Sequence, residues 1–185
     1  MRFLVPILGP VLLGLAACGP APLLLVVPEA DPGGRVPTSV GSLEVVEVSL
    51  PTYAEGEEIY VEAADGTLAP IAGAVLADDP ARALTLDLAR ALGEVTGALV
   101  APEPWPFEED PQARLDVRLT RALADAGSFT LAGQAFVGGT EEGGRAVALP
   151  FRVSVPLAGP DPASIAAARA QATALLAREV AERGL

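Results

Sequence analysis

The sequence predicts one compact α/β (α+β) domain, in which two main helices pack on a mixed, mostly antiparallel sheet. The chain has 185 residues, of which 51% are apolar and 4% aromatic, enough for one core built mainly from aliphatic side chains. Several segments alternate apolar and polar residues with the period of a half-buried strand. Two others repeat apolar residues with helical spacing, and each begins at an Asp-Pro pair. Two helices that cover one sheet are the economical way to bury both kinds of apolar face.

The strand predictions follow the chain in order. Residues 43–50 are mostly alternating, and the adjacent Val45 and Val46 break the phase as a β-bulge would. Residues 57–71 predict a hairpin with Asp65-Gly66 in its tight turn. The short run ALVAP predicts one more strand, followed by a proline-rich loop that carries Trp105. Clean alternation predicts three further strands, around 115–119, 129–137 and 147–155, with a turn at GGTEEGG before the last.

The two helices are predicted to begin at Asp79-Pro80 and Asp161-Pro162, with aspartate as N-cap and proline at the first helical position. The first is expected to end at Gly93 or Gly97. Its apolar stripe is Leu84, Leu88, Ala91 and Leu92, with Leu86 on the opposite face. The second runs close to residue 183. Its stripe is Ile165, Ala168, Ala172, Leu175, Leu176 and Val180, with Arg169 and Glu179 at its margins.

The first 17 residues, MRFLVPILGPVLLGLAA, are typical of an export signal peptide, because Arg2 supplies a charged region and an apolar run follows it. The uncharged run continues from Phe3 to Pro28, longer than the roughly 20 residues of a membrane-spanning helix. Its prolines argue against such a helix, since each interior proline costs about 3 kcal/mol. A transmembrane anchor is thus one alternative to the export signal of a lipoprotein. A plain secretory signal with a cleavage site at Ala16-Ala17 is the other.

The only cysteine of the chain directly follows these 17 residues. Leu15, Ala16, Ala17 and Cys18 resemble the bacterial lipobox, in which an aliphatic residue stands three positions before the cysteine and two small residues lie between. The resemblance implies a covalent diacylglyceryl and N-acyl lipid on Cys18, where a lone cysteine is otherwise a small buried hydrophobe. Two or three acyl chains anchor a protein stably, whereas one holds it marginally. Gly19 stands where lipoproteins of the inner membrane tend to have aspartate, which favours the outer membrane, facing the periplasm.

Residues 18–41 are rich in proline and glycine, which predicts an irregular tether between the lipid and the folded domain. An extended tether of this kind reaches about 3 Å per residue. The apolar run at 23–27 has the length of a strand. We expect it to add an edge strand to the sheet, because an exposed apolar run promotes aggregation. The domain itself is predicted to span residues 42–185.

Composition excludes several classes of function. Twelve arginines stand against 24 acidic residues, for a net charge of −12, so the chain lacks the basic face that nucleic-acid binding needs. The sequence contains no histidine and no lysine, which removes Ser-His-Asp and Cys-His arrangements, the Walker A loop and Schiff-base chemistry. Zinc would have to bind through carboxylates alone, which is uncommon. Acidic pairs such as Glu57-Glu58 and Asp78-Asp79 are interpreted as solvated surface. We therefore predict no enzyme activity, no metal and no cofactor besides the covalent lipid.

Several segments occur in the order found in one protein family. They are SLPTYAEGEEIYVEAADGTL with its Leu-Pro-x-Tyr start, the helix DPARALTLDLARALG, the pair Pro104-Trp105, a three-strand meander and a closing Ala-rich helix. In this order, behind a lipobox, they resemble the ABC-type transport auxiliary lipoproteins, the PqiC-like family. The chain departs from the family at PLLLVVP, where tyrosines are usual, and at AGAVLADDP, where a tryptophan is usual.

The resemblance implies a fold similar to the amino-terminal domain of TolB and a non-catalytic role beside a transporter. The implied partners are an MCE-domain transport protein and an ABC permease complex that move lipids or other apolar molecules between two membranes. Tyr53 and Trp105 are candidates for the partner surface, because exposed aromatic side chains act as interface anchors. Covering the aliphatic core is the alternative for both. A free-standing structural or envelope-stress lipoprotein without a transport partner is left open, as is a homo-oligomer.

Overall fold

The computed structural model describes residues 21–140 and 144–185, which form an eight-stranded mixed sheet and two long helices. A 3-10 turn at Thr52–Ala54 lies between the second and third strands. The predicted α+β class and the predicted order of elements from residue 42 onward are confirmed. The elements are β1 (Leu23–Leu25), β2 (Ser42–Val45), β3 (Glu58–Glu62), β4 (Leu68–Leu76), α1 (Pro80–Thr96), β5 (Leu99–Pro102), β6 (Ala113–Ala124), β7 (Ser128–Gly139), β8 (Ala146–Pro156) and α2 (Pro162–Gly184).

Some predictions fall outside the described residues. They are the signal peptide at 1–17, the lipobox residues Leu15, Ala16 and Ala17, the lipidation site Cys18, and residues 141–143 of the predicted turn. Among the helices that the structure does describe, neither is long and apolar enough to cross a membrane.

Strand β6 connects the parts of the sheet, because it pairs with three other strands. One edge pairs antiparallel with β7, which pairs antiparallel with β8, and these are the three long alternating strands that the sequence predicts. The other edge is shared, since β2 pairs parallel with residues 113–115 and β3 pairs parallel with Ala124. β5 extends the sheet beyond β2. β4 and then β1, which lies in the run expected to form an edge strand, extend it beyond β3.

The apolar sides of the long strands face the helices, and the buried side chains of sheet and helices form one continuous cluster. In β6, Leu115, Val117 and Leu119 are buried, whereas Arg118 between them is exposed. On the exposed side of the sheet the Arg118 guanidinium lies 5.1 Å from the centroid of the Phe136 ring, a cation–π contact. The sheet therefore has one face in the core and one face in solvent.

Helix α1 has the ends that its sequence predicts. The Asp79 carboxylate accepts a hydrogen bond from the Arg82 backbone N–H at 2.8 Å, and Pro80 occupies the first helical position. Gly97 ends the helix with a φ of 72°, a left-handed conformation that glycine adopts at little steric cost. The predicted apolar stripe is buried at Leu84, Leu88, Ala91 and Leu92.

Helix α2 begins at the predicted cap, where the Asp161 carboxylate accepts from the Ser164 backbone N–H at 3.0 Å. The prediction that Leu175 belongs to the buried stripe is wrong, because its exposed fraction is 39% whereas that of Leu176 is 0%. The helix packs on α1 as well as on β7 and β8. Its buried arc is therefore widened on the side away from Leu175, by Ala166, Ala170, Ala174, Ala177 and Ala181.

The segment that precedes β2 lies against the domain and does not stand free as a tether. The Val36 backbone N–H donates to the Val95 carbonyl at 2.7 Å, and the two side chains share a small buried cluster. The Arg178 guanidinium donates to the Gly34 carbonyl at 3.1 Å. The segment is irregular, as predicted, but side chains of both helices hold it in place. The folded domain therefore begins before residue 42.

Candidate partner-binding surface

The loop between β5 and β6 holds Trp105 in one orientation. Its backbone N–H donates to Glu44 Oε1 at 3.1 Å, and its indole Nε1–H donates to the Glu109 carbonyl at 2.7 Å. The Trp105 side chain is half-buried, so part of the ring faces solvent. Because the side chain is already ordered, its immobilisation on binding would cost little further entropy.

Glu44 holds this loop from inside the sheet. Its exposed fraction is only 6%, and its Oε2 lies 2.6 Å from Nε of Arg114, which also contacts Glu103 at 3.1 Å. A buried carboxylate is tolerated only with an opposite charge and hydrogen bonds, and Glu44 has both. Nothing in the local sequence indicates this burial, since an acidic residue that alternates with apolar ones is typical of a position facing solvent. The pairing of Glu44 with Arg114 depends on the β2–β6 contact.

Phe107 extends the aromatic surface beyond Trp105. The two ring centroids are 5.0 Å apart with the planes at 66°, an edge-to-face arrangement. Phe107 has an exposed fraction of 46%, and Leu99 at the start of β5 is exposed beside the same loop. A hollow of about 340 Å³ lies between the loop and the sheet edge and is lined by all three side chains. We call Leu99, Trp105 and Phe107 the aromatic patch.

Three carboxylates border the same hollow, those of Glu108, Glu109 and Asp110. Over residues 21–140 and 144–185, none of the ion pairs within 4.0 Å involves these carboxylates. The aromatic patch is thus bordered by three acidic residues that form no ion pair among the described residues. It complements a partner patch that presents cationic side chains, which bind favourably both to carboxylates and to aromatic faces.

Tyr53 lies near the other end of β6 from Trp105. Its hydroxyl accepts a hydrogen bond from the Ala122 backbone N–H at 3.1 Å, and its half-buried ring lines a core cavity of about 40 Å³. Ala122 is eight residues along β6 (122 − 114 = 8) from Arg114, which supports the Trp105 loop. That separation is roughly 26 Å at 3.3 Å per strand residue. The structure therefore does not bring the two predicted surface residues together, and the contacts of Tyr53 are those of a side chain that closes the core.

Glu58, Asp78 and Asp79, three of the four residues in the two predicted acidic pairs, have structural partners among the described residues. Asp79 caps α1, and Asp78 pairs with Arg82. The Glu58 carboxylate accepts a hydrogen bond from the Tyr60 hydroxyl at 2.7 Å. This hydrogen bond and the negative charge of Glu58 raise the pKa of Tyr60. In the part of the chain that the structure describes, no three His, Cys, Asp or Glu side chains form a group that could hold a metal ion.

Comparison with known proteins assigns the chain to a family. A family model described as ABC-type transport auxiliary lipoprotein component matches residues 24–181. A search of curated proteins finds no match. The crystal structure of an uncharacterized protein is similar at a TM-score of 0.67 and 17% identity, over 80% of this chain and 97% of that one.

Two further solved structures are similar. A protein of the family DUF330 from Xanthomonas campestris aligns at a TM-score of 0.63 and 21% identity, over 86% of this chain and 90% of that one. A PelC dodecamer from Paraburkholderia phytofirmans aligns at 0.43 and 15% identity, over 81% and 92%, too low a similarity to bear on assembly here. The first two structures share the fold, and the family model runs from within β1 into α2. The chain therefore belongs to the family of ABC-type transport auxiliary lipoprotein components.

Proposed function

We propose that this protein is a lipid-anchored, non-catalytic component of a system in which an ABC permease complex and an MCE-domain protein move lipids or other apolar molecules between two membranes. The family match over residues 24–181 carries the proposal, and it indicates a place in the cell envelope. Within the envelope we propose the periplasmic face of the outer membrane, because Gly19 follows the lipidated cysteine. The residue inventory supports a docking role, since histidine, the most frequent general acid or base in enzymes, does not occur, and neither does lysine.

The docking surface that we propose is the aromatic patch with its carboxylate border. Aromatic side chains supply large contact areas and are enriched among the residues that dominate binding energy. Trp105 is held by two hydrogen bonds, so the patch is preorganised. Tyr53 is left out of this surface, because it lies at the other end of β6 and its half-buried ring lines a separate cavity. The negative border should speed the encounter with a cationic partner, and added salt should slow it.

Site-specific photo-crosslinking tests this surface. A photoreactive phenylalanine analogue at Phe107 preserves the aromatic ring and should crosslink a transporter component in intact cells. The same analogue at Leu68, an exposed residue of β4, is the matched control and should yield little or no adduct. Mass spectrometry of the adducts identifies the partner. An equal yield at both positions would remove the surface, and the recovery of no transporter component at either would favour a free-standing lipoprotein.

Gene neighbourhood gives an independent check of the partner. Adjacent genes for an ABC permease, an ATPase and an MCE-domain protein are the expected arrangement. If related chains consistently occur without them, and deletion of the gene leaves outer-membrane permeability normal, the transport proposal fails.

Lipidation at Cys18 gives a further prediction. The intact mass of the protein extracted from membranes should correspond to a chain that starts at Cys18 and carries acyl groups. Cys18→Ser should leave the domain folded, with an unchanged circular dichroism spectrum, but should remove the covalent anchor and shift the protein out of the membrane fraction. A mature start elsewhere, or an unprocessed chain that begins at Met1, would show that the lipobox interpretation is wrong.

A further inference from the structure

Arg169 lies on the buried face of α2, although the sequence pattern placed it at the margin of the stripe. It stands four residues after Ile165 and seven before Leu176, and both of these are buried. Residues at these spacings share one face of a helix. A guanidinium therefore occupies a position that faces the core in a helix whose other buried residues are almost all apolar.

Arg169 is half-buried, and its guanidinium has few partners within the protein. Its Nη2 donates to the Pro80 carbonyl at 2.9 Å. Among the described residues no carboxylate oxygen lies within 4.0 Å of the Arg169 guanidinium. The carboxylate that interacts with its charge over a longer distance is that of Asp87. Desolvation lowers the pKa of Arg169, and Asp87 opposes this; arginine nevertheless keeps its charge in proteins. Five N–H donors on a fixed fork are well suited to an oxyanion such as phosphate.

Arg169 and Asp87 line the same groove, which has a volume of about 380 Å³ and lies between α1 and the end of β1. The Asp87 carboxylate is 4.0 Å from Arg90, and burial raises the pKa of Asp87 while Arg90 and Arg169 lower it. Asp78 at the rim is paired with Arg82. The groove thus has both a cation, Arg169, and a carboxylate, Asp87, in its lining.

The remaining wall of the groove is apolar. It is formed by Leu25, Val26, Val27, Leu76, Ala77, Ala83 and Leu86. Val26 and Leu86 are both exposed. Leu86, which lies opposite the apolar stripe of α1, therefore contributes to the wall of this groove. The volume lies within the range of small-molecule sites, which are mostly apolar with a few convergent polar groups.

We propose that this groove binds a single-chain phospholipid with a phosphoethanolamine headgroup. The phosphate contacts Arg169, the ammonium lies beside Asp87, and the acyl chain follows the apolar wall to Leu86. A zwitterionic head fits this site because it offers an opposite charge to both Arg169 and Asp87. An anion alone would be repelled by Asp87, and a cation alone by Arg169. The inference deepens the proposed function, on which its biological setting rests.

Isothermal titration tests the site with lysophosphatidylethanolamine, below its micelle concentration, as probe. The full chain carries Cys18→Ser, so that no covalent lipid competes. We expect one molecule to bind, and to bind more tightly than lysophosphatidylglycerol, which has the phosphate but no ammonium. Arg169→Met should weaken both lipids by about tenfold or more, since it removes charged hydrogen bonds. Asp87→Asn should abolish the preference for the ethanolamine head and leave the glycerol lipid bound.

A second pair of variants keeps the test decisive if Arg169→Met does not fold. Leu86→Gln changes an exposed wall residue and should weaken binding severalfold, whereas Leu68→Gln changes a similarly exposed leucine outside the groove and should not. Equal binding by these two variants would overturn the site. Binding of dodecyl maltoside, whose head is uncharged, as strong as that of the lysolipid would show apolar adsorption only. The crosslinking at Phe107 tests a different surface. If it recovers no transporter component while the groove still binds lipid, the proposed transporter partner is wrong and the lipid site stands.

Discussion

Leu176→Ala is expected to lower the free energy of unfolding by about 2–5 kcal/mol, the range for truncation of a fully buried leucine. Leu176 has no exposed surface and belongs to the cluster that joins α2 to the sheet. The neighbouring Leu175→Ala is expected to cost less than about 1 kcal/mol, because this side chain is already 39% exposed and leaves no closed cavity.

Urea denaturation of the two variants checks this contrast, with unchanged m-values as evidence that the unfolding transition is the same. The pair is matched in residue type, helix and composition, so the difference isolates burial. Similar costs for both leucines would mean that α2 is rotated relative to the sheet. A small cost for Leu176 alone would mean that the helix does not close the core.

Gly133→Ala is expected to destabilise the protein by about 3 kcal/mol or more, at the upper end of overpacking effects. A Cβ at this position in β7 would lie 2.1 Å from the carbonyl oxygen of Arg118 and 2.9 Å from Cα of Leu119. Both atoms belong to the backbone of β6, where the β6–β7 register shifts between Leu119 and Arg121. No side-chain rotation relieves such a contact, so the two central strands would have to separate locally.

Gly138→Ala on the same strand is the control for Gly133. A Cβ there would meet no described atom within 4 Å, so the change is expected to be neutral or to stabilise by about 0.4–1 kcal/mol through the unfolded chain. Thermal unfolding of both variants gives the comparison. Equal melting temperatures would show that the β6–β7 approach is looser than the structure has it.

Local patterns in the chain were sufficient for most elements of the fold. Alternation alone located β6, β7 and β8, because each strand buries one face and exposes the other. The caps at Asp79 and Asp161 were equally readable, since an N-cap bonds to a backbone N–H only three residues away. These features involve neighbours in sequence, so the sequence shows both partners at once.

The groups with candidate function were harder to predict, because their partners lie far away along the chain. Glu44 is buried because β2 pairs with β6 and brings Arg114 to it, 70 residues later (114 − 44 = 70). Arg169 faces the core because β1 and α1 build the groove around it, and Leu175 is exposed because the α1–α2 contact widens the buried arc of α2 on its other side. Helical periodicity reports only how apolar residues are distributed around an axis. The elements that pack against the helix determine where its buried arc ends and which charged residue lies within that arc.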